Sequence, residues 1–156
     1  MANLTLLLAE DNAADEMLVA EALKESHRGT ELRVVRDGEE VLLYLRRQGK
    51  YGEAPAPRLL ILDLNMPRKD GREVLAEIRR DPALKDLPVV VWTGASTQRE
   101  MDVTREVNPT FYFVKPDALE KFLATIKAIE EYAYSHETGK LRRLGGEAQY
   151  PPGGRA

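Results

Sequence analysis

Acidic, hydroxyl and amine side chains follow four of the short apolar runs in this sequence of 156 residues. The acids are Glu10, Asp11 and Asp63, the hydroxyl belongs to Thr93 and the amine to Lys115. Three carboxylates held close together repel one another, and a hard divalent cation such as Mg²⁺ best offsets that repulsion. A single acid in such a place is usually a solvated helix cap. Three acids with a lysine opposite them indicate a functional site.

Asp63 is the candidate nucleophile, because it directly follows the apolar run in LLILDLNMP. A carboxylate in this position can attack a phosphoryl group and form an acyl phosphate. Such transfer is catalysed mostly by positioning and by neutralisation of charge. Mg²⁺ and the ammonium of Lys115 would neutralise the phosphoryl oxygens, while the hydroxyl of Thr93 could donate to one of them. Pro116 favours an extended backbone at Lys115, which would keep the lysine side chain at the strand end.

The elements that must position these residues are short apolar runs separated by stretches with helical periodicity. The runs are predicted to be buried parallel strands: Leu4–Ala9, Leu32–Val35, Leu59–Leu62, Val89–Trp92 and Phe111–Val114. Helices are predicted from the N-cap Asp37 to about Arg47, over Asp70–Arg80, over Ser96–Glu106 with a thin apolar face, and over Asp117–His136. This alternation predicts an α/β fold with a doubly wound five-stranded parallel sheet. The candidate residues would then meet at the carboxyl ends of the strands.

Length, composition and charge narrow the class of protein. One domain is expected over residues 1–136. A flexible C-terminal tail rich in Gly, Pro and charged residues is expected over 137–156, which leaves no residues for an output domain. The net charge of −3 gives no electrostatic reason to expect nucleic-acid binding. No apolar run approaches the ~20 residues of a membrane span, and no signal peptide is evident. The absence of cysteine excludes disulfides and is compatible with the expected cytoplasmic location.

Together the motifs resemble the receiver domains of two-component response regulators. The matching parts are AEDN with Glu10 and Asp11, LDLNMP with Asp63, the Pro67–Asp70–Gly71 turn, WTGAS with Thr93, and FVKP with Lys115. Thr93 and Lys115 follow Asp63 by 30 and 52 residues, intervals that are usual in the family. The resemblance covers about residues 3–136 and implies a flavodoxin-like (βα)5 fold.

The resemblance also implies how the acids are used. Asp63 would be the phosphoacceptor. Asp11, Asp63 and the backbone carbonyl of Asn65 would bind Mg²⁺, and Glu10 would act through a water molecule.

The resemblance further implies how the signal arises and where it goes. Thr93 and Lys115 would contact the phosphoryl group, and Thr93 and Tyr112 would form a switch in which the aromatic ring turns inward. The phosphoryl group would come from a partner sensor histidine kinase in a phosphorelay, so the chain would not itself be an enzyme. The loop Gln48–Pro57 and the IEEYAYS helix end resemble small regulators that pair with phytochrome-like kinases, including bacterial phytochromes. The helix Ser96–Glu106 and the helix Asp117–His136 would form a partner or homodimer surface.

Three other interpretations remain open. An aspartyl-phosphate phosphatase on a related fold would place its nucleophile after the first strand rather than the third. A flavodoxin-like cofactor binder would need a phosphate loop rich in Ser, Thr or Gly after the first strand, where this chain has AEDNAAD. A module that keeps the fold without being phosphorylated would not need the intact set of site residues.

Overall fold

The structure of the protein is a computed structural model, which describes residues 3–94 and 96–148. Its strands are β1 (Thr5–Ala9), β2 (Glu31–Val35), β3 (Leu59–Leu62), β4 (Val89–Thr93), β5 (Phe111–Val114) and β6 (Glu147–Ala148). Its helices are α1 (Ala13–Ser26), α2 (Gly38–Leu45), α3 (Gly71–Arg80), α4 (Gln98–Arg105), α5 (Leu119–Ser135) and α6 (Gly139–Arg143). A single 3-10 turn, Gly49–Tyr51, lies in the loop after α2. None of the helices in the described residues is both long and apolar enough to cross a membrane.

One sheet organises the fold, with the strand order β2-β1-β3-β4-β5-β6. The first five strands pair in parallel, which confirms the predicted doubly wound α/β architecture. Both ends of each predicted strand lie within one residue of the observed strand. Strands β1, β3 and β4 are buried throughout, whereas β2 is half-exposed because it forms the edge of the sheet.

Apolar side chains on the two faces of the sheet form two separate cores. Successive residues of a strand point to opposite faces, so Leu6 and Leu8 of β1 enter one core while Leu7 and Ala9 enter the other. Helices α1 and α5 pack together over the first core, and α2 and α3 pack together over the second.

Side-chain caps fix where several helices begin. Asp37 caps α2 as predicted, since its carboxylate accepts a hydrogen bond from the backbone N–H of Glu40 at 2.9 Å. Helix α2 ends at Leu45, two residues before its predicted end. Helix α4 begins with a reciprocal capping box between Thr97 and Glu100, which compensates for its thin apolar face.

The chain after His136 differs from the predicted flexible tail. Residues 139–143 form α6, which buries Leu141 completely, and β6 pairs with β5 in an antiparallel arrangement. The sequence composition obscured this segment because a single buried leucine and a strand of two residues give no periodic signal. Gly146 permits the close approach, since a Cβ there would lie 2.5 Å from the ring of Phe113. Residues 149–156 of the predicted tail lie outside the described residues.

Candidate phosphoacceptor and metal site

Three acids converge at the carboxyl end of the sheet. Glu10 and Asp11 directly follow β1 and Asp63 directly follows β3, and these two strands are neighbours in the sheet. One carboxylate oxygen of each residue lies within 4.8 Å of those of the other two. Glu10 and Asp63 are buried, and Asp11 is exposed. The structure therefore brings together the acids that the sequence predicted to meet.

The ammonium of Lys115 lies among the acids and neutralises part of their charge. It donates to Glu10 Oε1 at 2.8 Å, to Asp15 Oδ2 at 2.7 Å and to Asp63 Oδ2 at 3.2 Å. Burial lowers the pKa of Lys115, but the hydrogen bonds to Asp15 and Glu10 and the negative charges of Asp63 and Glu10 outweigh burial and raise it. Lys115 is therefore charged at neutral pH, as phosphoryl chemistry requires.

Hydrogen bonds orient the candidate nucleophile Asp63 and connect it to Thr93. The backbone N–H of Asn65 donates to Asp63 Oδ1 at 3.0 Å, so the two carboxylate oxygens have different partners. The side-chain amide of Asn65 donates to Thr93 Oγ1 at 3.3 Å. Thr93 ends β4 and is almost fully buried. Its hydroxyl thus lies on the same rim as Asp63.

Glu10 is the most perturbed acid of the site. Its pKa is raised to about 7, first by burial and then by the hydrogen bond and the charge of Asp63, while the contacts of Lys115 oppose the rise. Burial disfavours the charged form of this carboxyl group, and the neighbouring carboxylate of Asp63 adds to the effect. A cation that neutralised both carboxylates would remove the second of these causes.

Residues of the site fit a hard divalent cation. The three carboxylates supply the oxygen ligands that Mg²⁺ prefers, and the exposure of Asp11 leaves the site open to the water that this ion retains. The charge of Asp63 contributes to the raised pKa of Glu10 even with Lys115 in contact with both acids, so a cation would offset repulsion that the lysine leaves.

Tyr112, the predicted switch residue, lies in β5 and is buried. Its hydroxyl shares a hydrogen bond with Ser96 Oγ in the loop between β4 and α4. That loop begins directly after Thr93. The hydrogen-bond partner of Tyr112 therefore lies three residues after Thr93 in the sequence, and the role of Tyr112 as a switch stays a prediction.

Asp15 was missed by the sequence interpretation. It lies in the first turn of α1, where its backbone N–H is capped by Asn12 Oδ1 at 3.0 Å. Asn12 is a favourable N-cap residue, and that signal would have placed Asp15 in the first turn of a helix that begins next to the acids after β1. The contact of Asp15 with Lys115 itself has no signal in the sequence.

Three comparisons with known proteins agree on the type of domain. The family model described as "Response regulator receiver domain" matches residues 6–127. Response regulator Rcp1 of a Synechocystis species is 42% identical over 127 residues, which cover 81% of this chain and 86% of Rcp1.

Two solved structures give the same result for the fold. The crystal structure of the phosphorylated cyanobacterial phytochrome response regulator RcpA is similar with a TM-score of 0.82 and 42% identity, over 88% of this chain and 98% of RcpA. The Mn²⁺-bound form of Rcp1 is similar with a TM-score of 0.76 and 41% identity, over 82% of this chain and 92% of Rcp1.

Proposed function

The chain belongs to the response regulator receiver domain family, and on this premise we propose that Asp63 accepts a phosphoryl group from a sensor histidine kinase. The observation that carries the proposal is the hydrogen bond of Lys115 to Asp63, within a group of acids suited to Mg²⁺. A lysine and a metal on either side of a carboxylate neutralise the oxygens of an incoming phosphoryl group.

In the proposed transfer, Asp63 is the nucleophile. One of its carboxylate oxygens forms a bond to phosphorus while the bond from phosphorus to the donor imidazole nitrogen breaks, and the imidazole leaves with the electron pair. Lys115 donates to a phosphoryl oxygen, and Thr93 donates to another. The backbone N–H of Asn65 keeps the carboxylate oriented during the approach.

Mg²⁺ is the proposed cofactor, with Asp11 and Asp63 as direct ligands, the backbone carbonyl of Asn65 as a third, and Glu10 acting through water. When bound, the ion supplies positive charge that offsets the charge of the phosphoryl oxygens. The Mn²⁺-bound form of the relative Rcp1 supports a divalent cation of this size and charge.

The proposed donor is a phytochrome-like histidine kinase, including bacterial phytochromes, in the cytoplasm. Support comes from the relative RcpA, which is named as a phytochrome response regulator and was crystallised in a phosphorylated form. The partner would recognise the open rim of the sheet, because the phosphoryl group must reach Asp63 there.

The output we propose is a change of shape that Thr93 and Tyr112 transmit to α4 and α5. Movement of Thr93 toward the phosphoryl group would shift the loop that holds Ser96, and with it the hydroxyl partner of Tyr112.

Helices α4 and α5 would form a homodimer surface, with Val103 and Val114 as exposed apolar residues on this side. Equilibrium sedimentation with and without beryllofluoride tests the dimer, and a monomer in both conditions would contradict it.

Intact-mass spectrometry after incubation with acetyl phosphate tests the proposed function. We expect one phosphoryl group per wild-type chain when Mg²⁺ is present and none in chelator. Asp63→Asn should not be labelled, and Asp11→Asn should need more Mg²⁺. Stoichiometric labelling without continuous hydrolysis of a small phosphate ester supports a signalling protein. Continuous turnover would instead support the aspartyl-phosphate phosphatase.

A further inference from the structure

The ammonium of Lys115 has as many hydrogen-bond donors as it has acid partners. An ammonium carries three N–H groups, and the described partners of Nζ are Glu10, Asp15 and Asp63. The contact with Asp15 is the shortest of the three at 2.7 Å, and the contact with Asp63 is the longest at 3.2 Å. Every donor of this lysine is therefore in use before any phosphoryl group arrives.

Phosphorylation of Asp63 would change only one of these three contacts. The side chain of Asp63 would become an acyl phosphate, and the N–H that now points at its carboxylate could donate to a phosphoryl oxygen instead. The hydrogen bonds to Glu10 and Asp15 need not break. Two fixed bonds on a tetrahedral ammonium determine the direction of the third, so these two acids determine where the remaining N–H points.

Asp15 is well placed for this role because its own backbone is fixed. It lies in the first turn of α1, where Asn12 caps its N–H and where a negative charge is favourable. Its side chain is 22% exposed and lines a cavity of about 310 Å³ together with Lys115, Pro116 and Phe122. Lys115, by contrast, projects from a strand end on a long flexible stem, which loses much rotamer freedom when it is held.

We propose that Asp15 is a positioning residue that, with Glu10, holds the ammonium of Lys115 so that its third N–H points at the phosphoryl group on Asp63. This inference rests on the proposed function and adds to it a residue on α1. The hydrogen bond to Asp15 is also the largest of the contributions that raise the pKa of Lys115. Without Asp15, we therefore expect the side chain of Lys115 to stay in the site while the orientation of its ammonium varies more.

The test compares Asp15→Asn with Asp117→Asn, which removes the same charge from the same cavity without touching the three hydrogen bonds of Lys115. Beryllofluoride binding in Mg²⁺ is measured for both variants and for the wild type. For Asp15→Asn we expect affinity to fall about 10-fold, because a neutral amide oxygen replaces the charged partner of the ammonium. Asp117→Asn should stay within about twofold, as expected for a screened surface charge. Equal or tighter binding by Asp15→Asn would overturn the proposal.

A second measurement separates this inference from the proposed function. In metal-free protein labelled with ¹⁵N-lysine, the ammonium signal of Lys115 should lose its protection from solvent exchange in Asp15→Asn and keep it in Asp117→Asn. An unchanged signal would overturn the role of Asp15 whatever the labelling shows. A wild-type chain that is not labelled at Asp63 would refute the proposed function alone. Asp15→Ala serves as the second variant if Asp15→Asn does not fold.

Discussion

Replacing Lys115 with methionine should destabilise the metal-free protein far more than an equivalent change at the surface. Lys115→Met keeps much of the apolar stem and removes the charge that three carboxylates share. The matched control is Lys127→Met, because Lys127 also contacts a carboxylate at 2.7 Å, that of Glu25. The two lysines differ in burial, with side chains 11% and 40% exposed.

The difference in burial determines the expected magnitudes. Removing one partner of a buried ion pair costs about 3–5 kcal/mol, because the remaining charges stay buried without compensation. An exposed pair contributes about 0–1 kcal/mol. We therefore expect Lys115→Met to lower the free energy of unfolding by about 3 kcal/mol and Lys127→Met by less than about 1 kcal/mol.

The free energy of unfolding that Lys115→Met loses should depend on pH, because Glu10 titrates close to neutrality. Its pKa of about 7 in the folded protein lies above the ordinary value of 4.5, so its contribution to stability is present below about pH 4.5 and is lost as the pH rises through 7. The cost of Lys115→Met should accordingly be larger at pH 8 than at pH 5, where Glu10 carries a proton.

Urea unfolding in chelator, followed by fluorescence, provides the assay. Trp92 is the single tryptophan of the sequence and is fully buried, so unfolding exposes it. Equal losses for Lys115→Met and Lys127→Met at pH 8 would refute the reasoning, because they would show that the acids do not depend on the buried ammonium.

Three further predictions concern other parts of the fold. Leu141→Ala should lower the free energy of unfolding by about 2–5 kcal/mol in urea, since Leu141 is fully buried, and no loss would show that α6 does not pack on the domain. Gly71→Ala should lower the free energy of unfolding by about 1–3 kcal/mol and slow the phosphorylation of Asp63 by acetyl phosphate. The reason is that the new Cβ would lie 2.7 Å from Leu64 Cα and 2.9 Å from the backbone carbonyl oxygen of Asp63. Labelling at the wild-type rate would contradict this. Thr97→Ala should lower the free energy of unfolding in urea by about 1 kcal/mol, because it removes the capping box of α4, and an unchanged free energy would contradict this.

Strong local patterns made most of the fold predictable. Strands such as Leu59–Leu62 are short apolar runs bounded by polar residues, and burial on both faces leaves no alternation to misinterpret. The convergence of Glu10, Asp63, Thr93 and Lys115 followed from one geometrical fact, that parallel strands share a carboxyl end. No distance had to be known to predict that these residues meet.

Contacts that depend on packing rather than on pattern could not be predicted. Asp15 contacts Lys115 only because α1 begins at Ala13 and turns this carboxylate toward β5. Strand β6 forms because Gly146 allows the chain to approach Phe113, and neither residue signals a strand by itself. The hydroxyl of Tyr44 in α2 donates to the carbonyl of Pro55 in the loop after that helix at 2.8 Å, an interaction that the polar sequence of the loop does not reveal.

Chemical mapping of the phosphorylated residue tests the central claim most directly. An acyl phosphate is reduced by borohydride to an alcohol, so the modified aspartate becomes homoserine and can be located by peptide mass spectrometry. After incubation with acetyl phosphate and Mg²⁺, homoserine should appear at position 63, and chelator should prevent its appearance. Homoserine at position 11 or 15, or none at position 63 in a folded chain with Mg²⁺, would contradict the account.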